Sequence, residues 1–201
     1  MKTRFLGLSL AVLLAGAGAA LANPPAPDPW TGNFNLRVGA KFLGGGDWSP
    51  VDDHTLWGLH FDFRRPHWPL NLVLDVSYSF DEADRRVHLA GIGPERQEVE
   101  GRTFEWNVGV RKIWEDHRHL RPYVGFGPAV IWAEQRTDAT VAAAKKDDTG
   151  LGFWLGGGLY ATLYDRLNLG LDLRYSYAKV DLFEDVNAGG FQAGMLVGYH
   201  F

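Results

Sequence analysis

The sequence predicts an all-β fold, an eight-stranded antiparallel up-and-down transmembrane β-barrel. Three observations support this fold: eight segments alternate apolar with small or polar residues, their connections alternate between short and long, and aromatic residues lie at both segment ends. Alternation with period two places one set of side chains on each face of a strand. Tilted strands of about ten residues can cross a bilayer only in a closed barrel, because an open edge leaves backbone groups unpaired in hydrocarbon.

The amino terminus has the form of a secretory signal peptide. A basic start is followed by an apolar stretch from Phe5 to Ala20, and residues 20–22 (Ala-Leu-Ala) are a cleavage site of the A-x-A kind. The short apolar core and the prolines after it argue against a retained membrane anchor. We therefore expect residues 1–22 to be a cleaved signal, 23–32 a proline-rich lead-in and 33–201 the barrel.

Charge and cysteine content narrow the class of protein. Without Lys2 and Arg4, 18 of the 20 basic residues remain against 24 acidic ones, a net charge of −6, so we expect no nucleic-acid partner. The chain has no cysteine, which excludes disulfides and the acylated cysteine of a lipoprotein. Beyond residue 22, no apolar run reaches the ~18–20 residues of a membrane helix.

The predicted strands can be read in chain order, and we place them at residues 33–42, 57–64, 70–80, 103–114, 120–133, 150–163, 167–177 and 191–201. The first alternates without exception, and the fourth becomes less regular near its end. The fifth contains Pro122 and Pro128, which cannot donate to a ladder. We expect a bulge near Pro128, and a bulge there would reverse the facing of the residues after it.

The connections between these strands alternate in length. Three are short turns, at residues 65–69, 115–119 and 164–166, and four are long, at 43–56, 81–102, 134–149 and 178–190. Short periplasmic turns, long outer loops and two periplasmic termini are typical of an even-stranded outer-membrane barrel.

Aromatic residues form two predicted girdles, because amphipathic rings favour the level of the lipid headgroups. The girdle at the short turns contains Trp68, Trp114, Tyr164, Tyr199 and Phe201. The girdle at the long loops contains Phe42, Trp57, Tyr78, Phe80, Trp132 and Tyr177.

With these features the chain, from about Asn33 to Phe201, resembles the small eight-stranded outer-membrane barrels, the superfamily of the OmpA membrane domain, OmpX and the opacity-type porin-like proteins. The resemblance rests on the alternating apolar positions that end at Tyr199 and Phe201, on residues 121–127 (Arg-Pro-Tyr-Val-Gly-Phe-Gly), and on the strand rhythm. It implies an outer-membrane protein of a Gram-negative bacterium, surrounded by outer-membrane lipids and lipopolysaccharide. It also implies that Tyr199 and Phe201 form the signal read by the outer-membrane assembly machinery.

The inward face of the predicted strands carries charged residues of both signs among its small and polar ones. An eight-stranded barrel is just wide enough for its own side chains to fill it, and unpaired buried charges are very costly. We therefore predict an internal polar network, with histidines 60 and 200 nearby, made of Arg37, Lys41, Asp62, Arg64, Asp75, Glu105, Arg111, Arg121, Asp172 and Arg174.

The resemblance leaves the function open, since the superfamily includes adhesins, structural proteins, minor channels and a few lipid A enzymes. We expect a non-enzymatic monomer with an envelope-structural or surface-interaction role, using four extracellular loops to contact an unidentified surface ligand. The alternative is a narrow channel, because six basic and four acidic luminal residues are also compatible with an anion-preferring path.

An enzyme that modifies lipid A is less favoured. The barrel deacylases use a His-x-Ser pair, which this chain lacks, whereas Ser49, Asp52, Asp53 and His54 imitate the loop-borne residues of the palmitoyltransferase type. No cofactor or metal site is expected. Residues 52–54 (Asp-Asp-His) and 117–119 (His-Arg-His) have no separate ligands to close a metal site, and the glycine run at 44–46 is not followed by the Lys-Ser/Thr of a phosphate loop.

Overall fold

The computed structural model describes residues 29–44, 48–89, 93–115, 120–138, 144–182 and 184–201 and, within these ranges, every side chain outside 85–89 and 93–96. The predicted signal peptide and most of the lead-in lie outside these residues and stay predictions. No described residue belongs to a helix with the length and apolarity needed to cross a membrane. The strands are β1 (Thr31–Phe42), β2 (Asp53–Arg64), β3 (Asn71–Leu89), β4 (Gly93–Ile113), β5 (Leu120–Asp138), β6 (Ala144–Leu163), β7 (Leu167–Asp181), β8 (Asp185–Asn187) and β9 (Gly190–His200).

These strands form one closed barrel. The order in the sheet is β6-β5-β4-β3-β2-β1-β9-β7, and β6 also pairs with β7, which joins the two ends of the sheet. Every pairing is antiparallel, and β8 adds only a short ladder to β7. Eight strands therefore make the wall, which confirms the predicted eight-stranded antiparallel up-and-down barrel.

Burial alternates along the strands as the sequence pattern predicts. Leu171 is 60% exposed on the outer face, whereas the next residue, Asp172, is 1% exposed and faces the lumen. The same inversion separates the outer Met195, which is 68% exposed, from the inner Leu196, which is 2% exposed. The wall thus has an apolar outside and a largely polar inside, the reverse of a soluble β-sandwich core.

The described parts of the short connections lie at the same rim of the barrel as the start of β1 and Phe201, and we assign this rim to the periplasm. In the β6–β7 turn, Tyr164 and Asp165 have positive φ angles of 52° and 58°, and the N–H of Arg166 donates to the carbonyl of Leu163 at 3.1 Å. Two successive positive φ angles are typical of the tight turns that suit the twist of a β-hairpin.

The outer ends of the strands differ from the prediction. The segments at 81–102 and 134–149, which we expected to be loops, are mostly continuations of strands. The β3–β4 ladder continues to Leu89 and Gly93, and the β5–β6 ladder continues to Thr137 and Ala144. Apart from Val99, Gly101 and Glu134, the described side chains of these segments are partly or fully exposed on both faces. Burial therefore does not select apolar residues on one side, and the alternation fades.

The register around Pro128 corrects a second expectation. Asn107 pairs with Ala129 on one side of the proline and Val110 pairs with Phe126 on the other, so no residue is inserted between them. The predicted bulge is therefore wrong, and the facing does not reverse, since Ala129 and Ile131 stay buried.

A side chain replaces the hydrogen bond that the proline cannot make. In the constant register Val108 lies opposite Pro128, which has no N–H group. The indole N–H of Trp154, on the neighbouring strand β6, donates to the carbonyl of Val108 at 2.9 Å. The buried carbonyl is thereby satisfied without a change of register.

We predict that Trp154→Phe destabilises the barrel by about 1–3 kcal/mol, because the carbonyl of Val108 then stays buried without a donor. Pro128→Ala supplies a backbone N–H at the same place, so Trp154→Phe should cost clearly less in that background. Urea unfolding of the wild type, both single variants and the double variant in lipid measures this difference. Equal costs in the two backgrounds would contradict the assigned role of the indole.

The seam between β1 and β9 closes the barrel at the carboxyl terminus. The backbone groups of Gly32 and Phe201 exchange hydrogen bonds of 2.9 and 3.0 Å, and the hydroxyl of Thr31 donates to the carbonyl of Phe201 at 2.8 Å. The ring of Phe201 stacks on Phe61 at a centroid distance of 6.2 Å. The final residue is thus part of the closing ladder.

Deletion of Phe201 should lower the amount of folded barrel in the outer membrane, because it removes these seam contacts and leaves backbone groups unpaired. The measurement is heat-modifiable gel mobility of membrane fractions. Tyr164→Asn is the matched control: Tyr164 is a 91% exposed aromatic residue at the same rim, outside the seam, and asparagine tolerates its positive φ. An unchanged folded fraction after deletion of Phe201 would contradict the prediction.

Candidate functional site

The lumen is the region where the structure gathers most of the residues predicted as a polar network. Nine of the ten, all but Arg64, are at most 6% exposed. They come from β1 to β5 and from β7, and each stands on the inward side of its strand. The wall therefore encloses five basic and four acidic side chains, which are close to balanced in charge.

Six of these side chains form an alternating series of opposite charges across the middle of the lumen. Arg111 lies 2.8 Å from Asp62 and 3.3 Å from Asp75. Arg174 lies 2.5 Å from the same Asp75. Asp172 is 3.9 Å from Arg174 and 3.1 Å from Arg37. Each acidic group thus has a cation beside it, which lowers the cost of burying it.

A second group lies nearer the outer end. Lys41 is 2.6 Å from Glu105 and also donates to the hydroxyl of Thr103 and the carbonyl of Ala188, both at 2.8 Å. The amide of Gln192 donates to the two oxygens of Glu105 at 3.0 and 3.1 Å. The three donors of the ammonium group are therefore used, and the carboxylate is held on both oxygens.

The two remaining basic residues lie towards the periplasmic rim. Arg64 is partly exposed and binds Glu115 at 2.6 Å, so it belongs to the mouth of the barrel rather than to its interior. Arg121 is buried and donates to the side-chain oxygens of Asn33 and Asn168 at 2.9 and 2.8 Å.

Neutral residues complete this network, and the sequence prediction missed them. The hydroxyl of Tyr123 donates to Asp172 at 2.7 Å, and the hydroxyl of Tyr160 donates to Asp62 at 3.1 Å. Asn71 donates to the other oxygen of Asp62 at 2.6 Å. Their inward positions were the available signal, since each occupies the polar face of its predicted strand.

Above the charged residues the lumen is apolar, which the sequence did not predict. We call this region the apolar layer; its buried members include Leu43, Trp48, Val51, Val99, Ile131, Trp154, Val180, Leu182 and Val186. Trp48 and Val51 come from the first outer loop, which folds into the barrel, and the indole of Trp48 donates to the carbonyl of Asn187 at 2.9 Å. Arg174 lies 4.7 Å above the ring of Trp154, where the charged and apolar regions meet.

His54, which suggested an enzyme, makes its hydrogen bonds with residues other than Ser49, Asp52 and Asp53. His54 is buried, and its Nδ1 atom is 2.9 Å from the hydroxyl of Ser79, not from Ser49. Its Nε2 atom is 3.2 Å from the carbonyl of Val51, so no carboxylate orients the ring. Within the described ranges, no group of three or more His, Asp or Glu side chains is arranged to hold a metal ion.

The outer strand ends carry a charged surface. Across the β3–β4 ladder Glu82 pairs with Glu100, and Arg102 binds Glu100 at 2.8 Å. Partial burial, together with the nearby carboxylates of Asp53 and Asp52, raises the pKa of Asp81.

Salt bridges also connect the outer end of β6 to β5 and to β7. Lys146 binds Asp181 at 2.9 Å, and Lys145 binds Glu134 at 2.6 Å. The backbone N–H of Asp181 donates to Asp148 at 2.7 Å, and this bond lowers the pKa of the Asp148 carboxyl. These contacts hold the outer end of β6 against its neighbours.

A closed barrel with an apolar outside and a lumen occupied by its own side chains agrees with a comparison to protein families. The family model described as outer membrane protein beta-barrel domain matches residues 8–201. The chain belongs to this family. It is therefore an outer-membrane protein with a transmembrane barrel, which confirms the predicted location and the resemblance to the small outer-membrane barrels.

Solved structures show the same fold at low sequence identity. The attachment invasion locus protein Ail of Yersinia pestis, in complex with the heparin analogue sucrose octasulfate, is 13% identical, with a TM-score of 0.51 over 86% of this chain and 97% of that chain. A major outer membrane protein from Thermus thermophilus is 15% identical, with a TM-score of 0.54 over 85% and 99% of the two chains. No curated protein sequence matches the chain.

Arg174→Ala should destabilise the barrel by about 3–5 kcal/mol, because Asp75 and Asp172 would stay buried with less compensating charge. Arg136→Ala is the control, since Arg136 is half exposed and its pair with Asp138 lies on the outer surface, where ion pairs contribute little. Urea unfolding in lipid compares the two. A negligible loss for Arg174→Ala, together with ion conductance, would show that water reaches the network.

Proposed function

We propose that this protein is a non-enzymatic, non-conducting outer-membrane barrel that contacts a partner at the cell surface through its outer strand ends. The observation that carries this proposal is the filled lumen: paired charges occupy its middle, and the apolar layer covers them. An ion entering from outside would meet Trp48 and Val51, which are 1% and 0% exposed, and apolar constrictions resist wetting.

The outer hairpins supply the surface for such a partner. Beyond Phe80, strand β3 continues to Leu89 and stays paired with β4, which at about 3.3 Å per residue extends the sheet by about 30 Å. The β4–β5 ladder reaches Asp138, so neighbouring hairpins share one sheet. A paired sheet is a more ordered platform than the loops that we expected, and an ordered surface loses less entropy on binding.

A shortened hairpin tests the proposed surface. Asp84 pairs with Glu98, so residues 85–97 can be replaced by Asn-Gly, a two-residue turn that fits a hairpin. Val99 stays in place, and with it the apolar layer. We expect normal heat-modifiable folding, and loss of surface binding in a cell-adhesion or protein-capture assay that compares bacteria with and without the protein.

The matched control shortens the β5–β6 hairpin instead. In this variant Asn-Gly replaces residues 138–143, between the paired Thr137 and Ala144.

Because the described outer side of the β3–β4 hairpin includes Glu82, Glu98 and Glu100, binding through this hairpin should weaken as salt screens these charges. Equal binding by the wild type and the β3–β4 variant would remove this surface from consideration.

Planar-bilayer recording of the purified barrel separates this proposal from the narrow-channel alternative. We expect no steady conductance from the wild type, since the buried Trp48 and Val51 lie between the luminal charges and the outer side. Reproducible unitary currents from the folded wild-type protein would favour the channel.

A further inference from the structure

The periplasmic mouth of the barrel contains a cavity that the surface-interaction proposal does not use. Its volume is about 450 Å³, within the usual size range of small-ligand pockets. Strand ends and short turns enclose it, so it faces the periplasm. Its lining residues are Thr31, Arg64, Pro66, Glu115, Arg121, Thr162, Asp165 and His200.

Arg121 stands out among these lining residues. It is 6% exposed, and it forms no ion pair with any residue that the structure describes, whereas each of the other five basic residues of the predicted network forms one. Its Nη2 donates only to the neutral side chains of Asn33 and Asn168. Its Nη1 lies 3.2 Å from Nδ1 of His200. Its buried Nε has no hydrogen-bond partner, as is also the case for three other luminal arginines, but those three have carboxylate partners.

A buried guanidinium with a free N–H and no carboxylate partner requires a counter-charge. Burial of an unpaired cation is costly, and a hydrogen bond from an arginine to an anion is about twice as strong as a neutral one. The excess of five basic over four acidic luminal side chains resides at this residue, because every other luminal cation has a partner. The cavity beside Arg121 is where an anion can reach it.

We propose that this cavity binds a carboxylate group that enters from the periplasm, with Arg121 as its charge partner. The acidic lining residues decide the class of anion. Glu115 is already bound to Arg64 at 2.6 Å, and Asp165 lies exposed at the rim. Arg121 is thus the cation of this cavity that has no ion-pair partner among the described residues, and it can compensate one negative charge. The second charge of a phosphate would have no cation of its own and would be repelled by Asp165.

Two sources can supply a carboxylate in the periplasm: a free organic acid, or the carboxyl terminus of a peptide such as those that cross-link the cell wall. The probes are therefore acetate, N-acetyl-alanyl-alanine and the carboxamide of the same dipeptide, added to the folded full-length barrel in detergent micelles. Amide NMR shifts of Thr31 and Thr162 report binding at the mouth.

We expect saturable shifts with the dipeptide acid and none with its carboxamide. If the site contacts only the carboxylate group, acetate should bind with an affinity similar to that of the dipeptide acid. If the site also contacts the peptide, the dipeptide acid should bind at least about tenfold more tightly than acetate. Either result supports the proposal and identifies the source. Absence of saturable shifts with both acids, or equal binding of acid and carboxamide, overturns it.

Variants assign the binding to Arg121. Arg121→Gln should weaken the dipeptide acid by about tenfold or more, the equivalent of one charge-assisted hydrogen bond, and Arg121→Lys should weaken it less. Arg136→Gln, on the outer surface, should leave affinity unchanged. Unchanged affinity in folded Arg121→Gln overturns the proposal.

Asp165→Asn keeps the test decisive if Arg121→Gln does not fold. Asn suits the positive φ of 58° at this position, and it removes a rim carboxylate without altering the turn. The dipeptide acid should bind about two- to threefold more tightly, since a nearby repulsive charge is lost. Weaker or unchanged binding in this variant would show that the rim charge does not oppose the ligand, and would overturn the carboxylate assignment.

Discussion

The need to pair every backbone N–H and C=O group within hydrocarbon is the constraint on which this structure depends. A sheet that crosses a bilayer has no water at its edges, so β1 must meet β9 and the wall must close. Phe201 bonds to Gly32 at that seam. The same requirement explains why Trp154 donates to Val108 opposite Pro128: where a proline removes one ladder bond, a neighbouring strand supplies the donor and the register stays unchanged.

Closure with only eight strands determines what the lumen can contain. The interior is just wide enough for its own side chains to fill it. The inward charges must therefore contact one another, and Asp75 lies between Arg111 and Arg174. Nearer the outside, the chain fills the same space with apolar residues from β4 to β8 and from the first loop. The periplasmic end stays open around Arg121, which leaves a cavity where the network lacks one carboxylate.

The two ends of the barrel therefore differ in character. Outside the membrane, β3 to β6 continue as paired strands and present a charged sheet above a lumen that is closed by Trp48. On the periplasmic side, short turns hold a small polar cavity next to a buried arginine. The proposed surface role and the proposed periplasmic carboxylate site are compatible in one molecule, since each uses a different end of the strands.

The sequence by itself determined the closed barrel, its facing and its membrane location, because period-two alternation and terminal aromatic residues are local patterns. It also determined which charges, such as Arg174 and Asp75, stand inward. Only the tertiary structure decided which of them meet, that Arg121 has no ion pair among the described residues, and that Trp48 enters the lumen. The contacts between luminal charges depend on the stagger of strands that are distant in the chain, and the position of Trp48 depends on the path of a loop. The sequence missed the outer strand extensions because most of their described side chains are exposed on both faces, so that pairing there requires no alternation of apolar and polar residues.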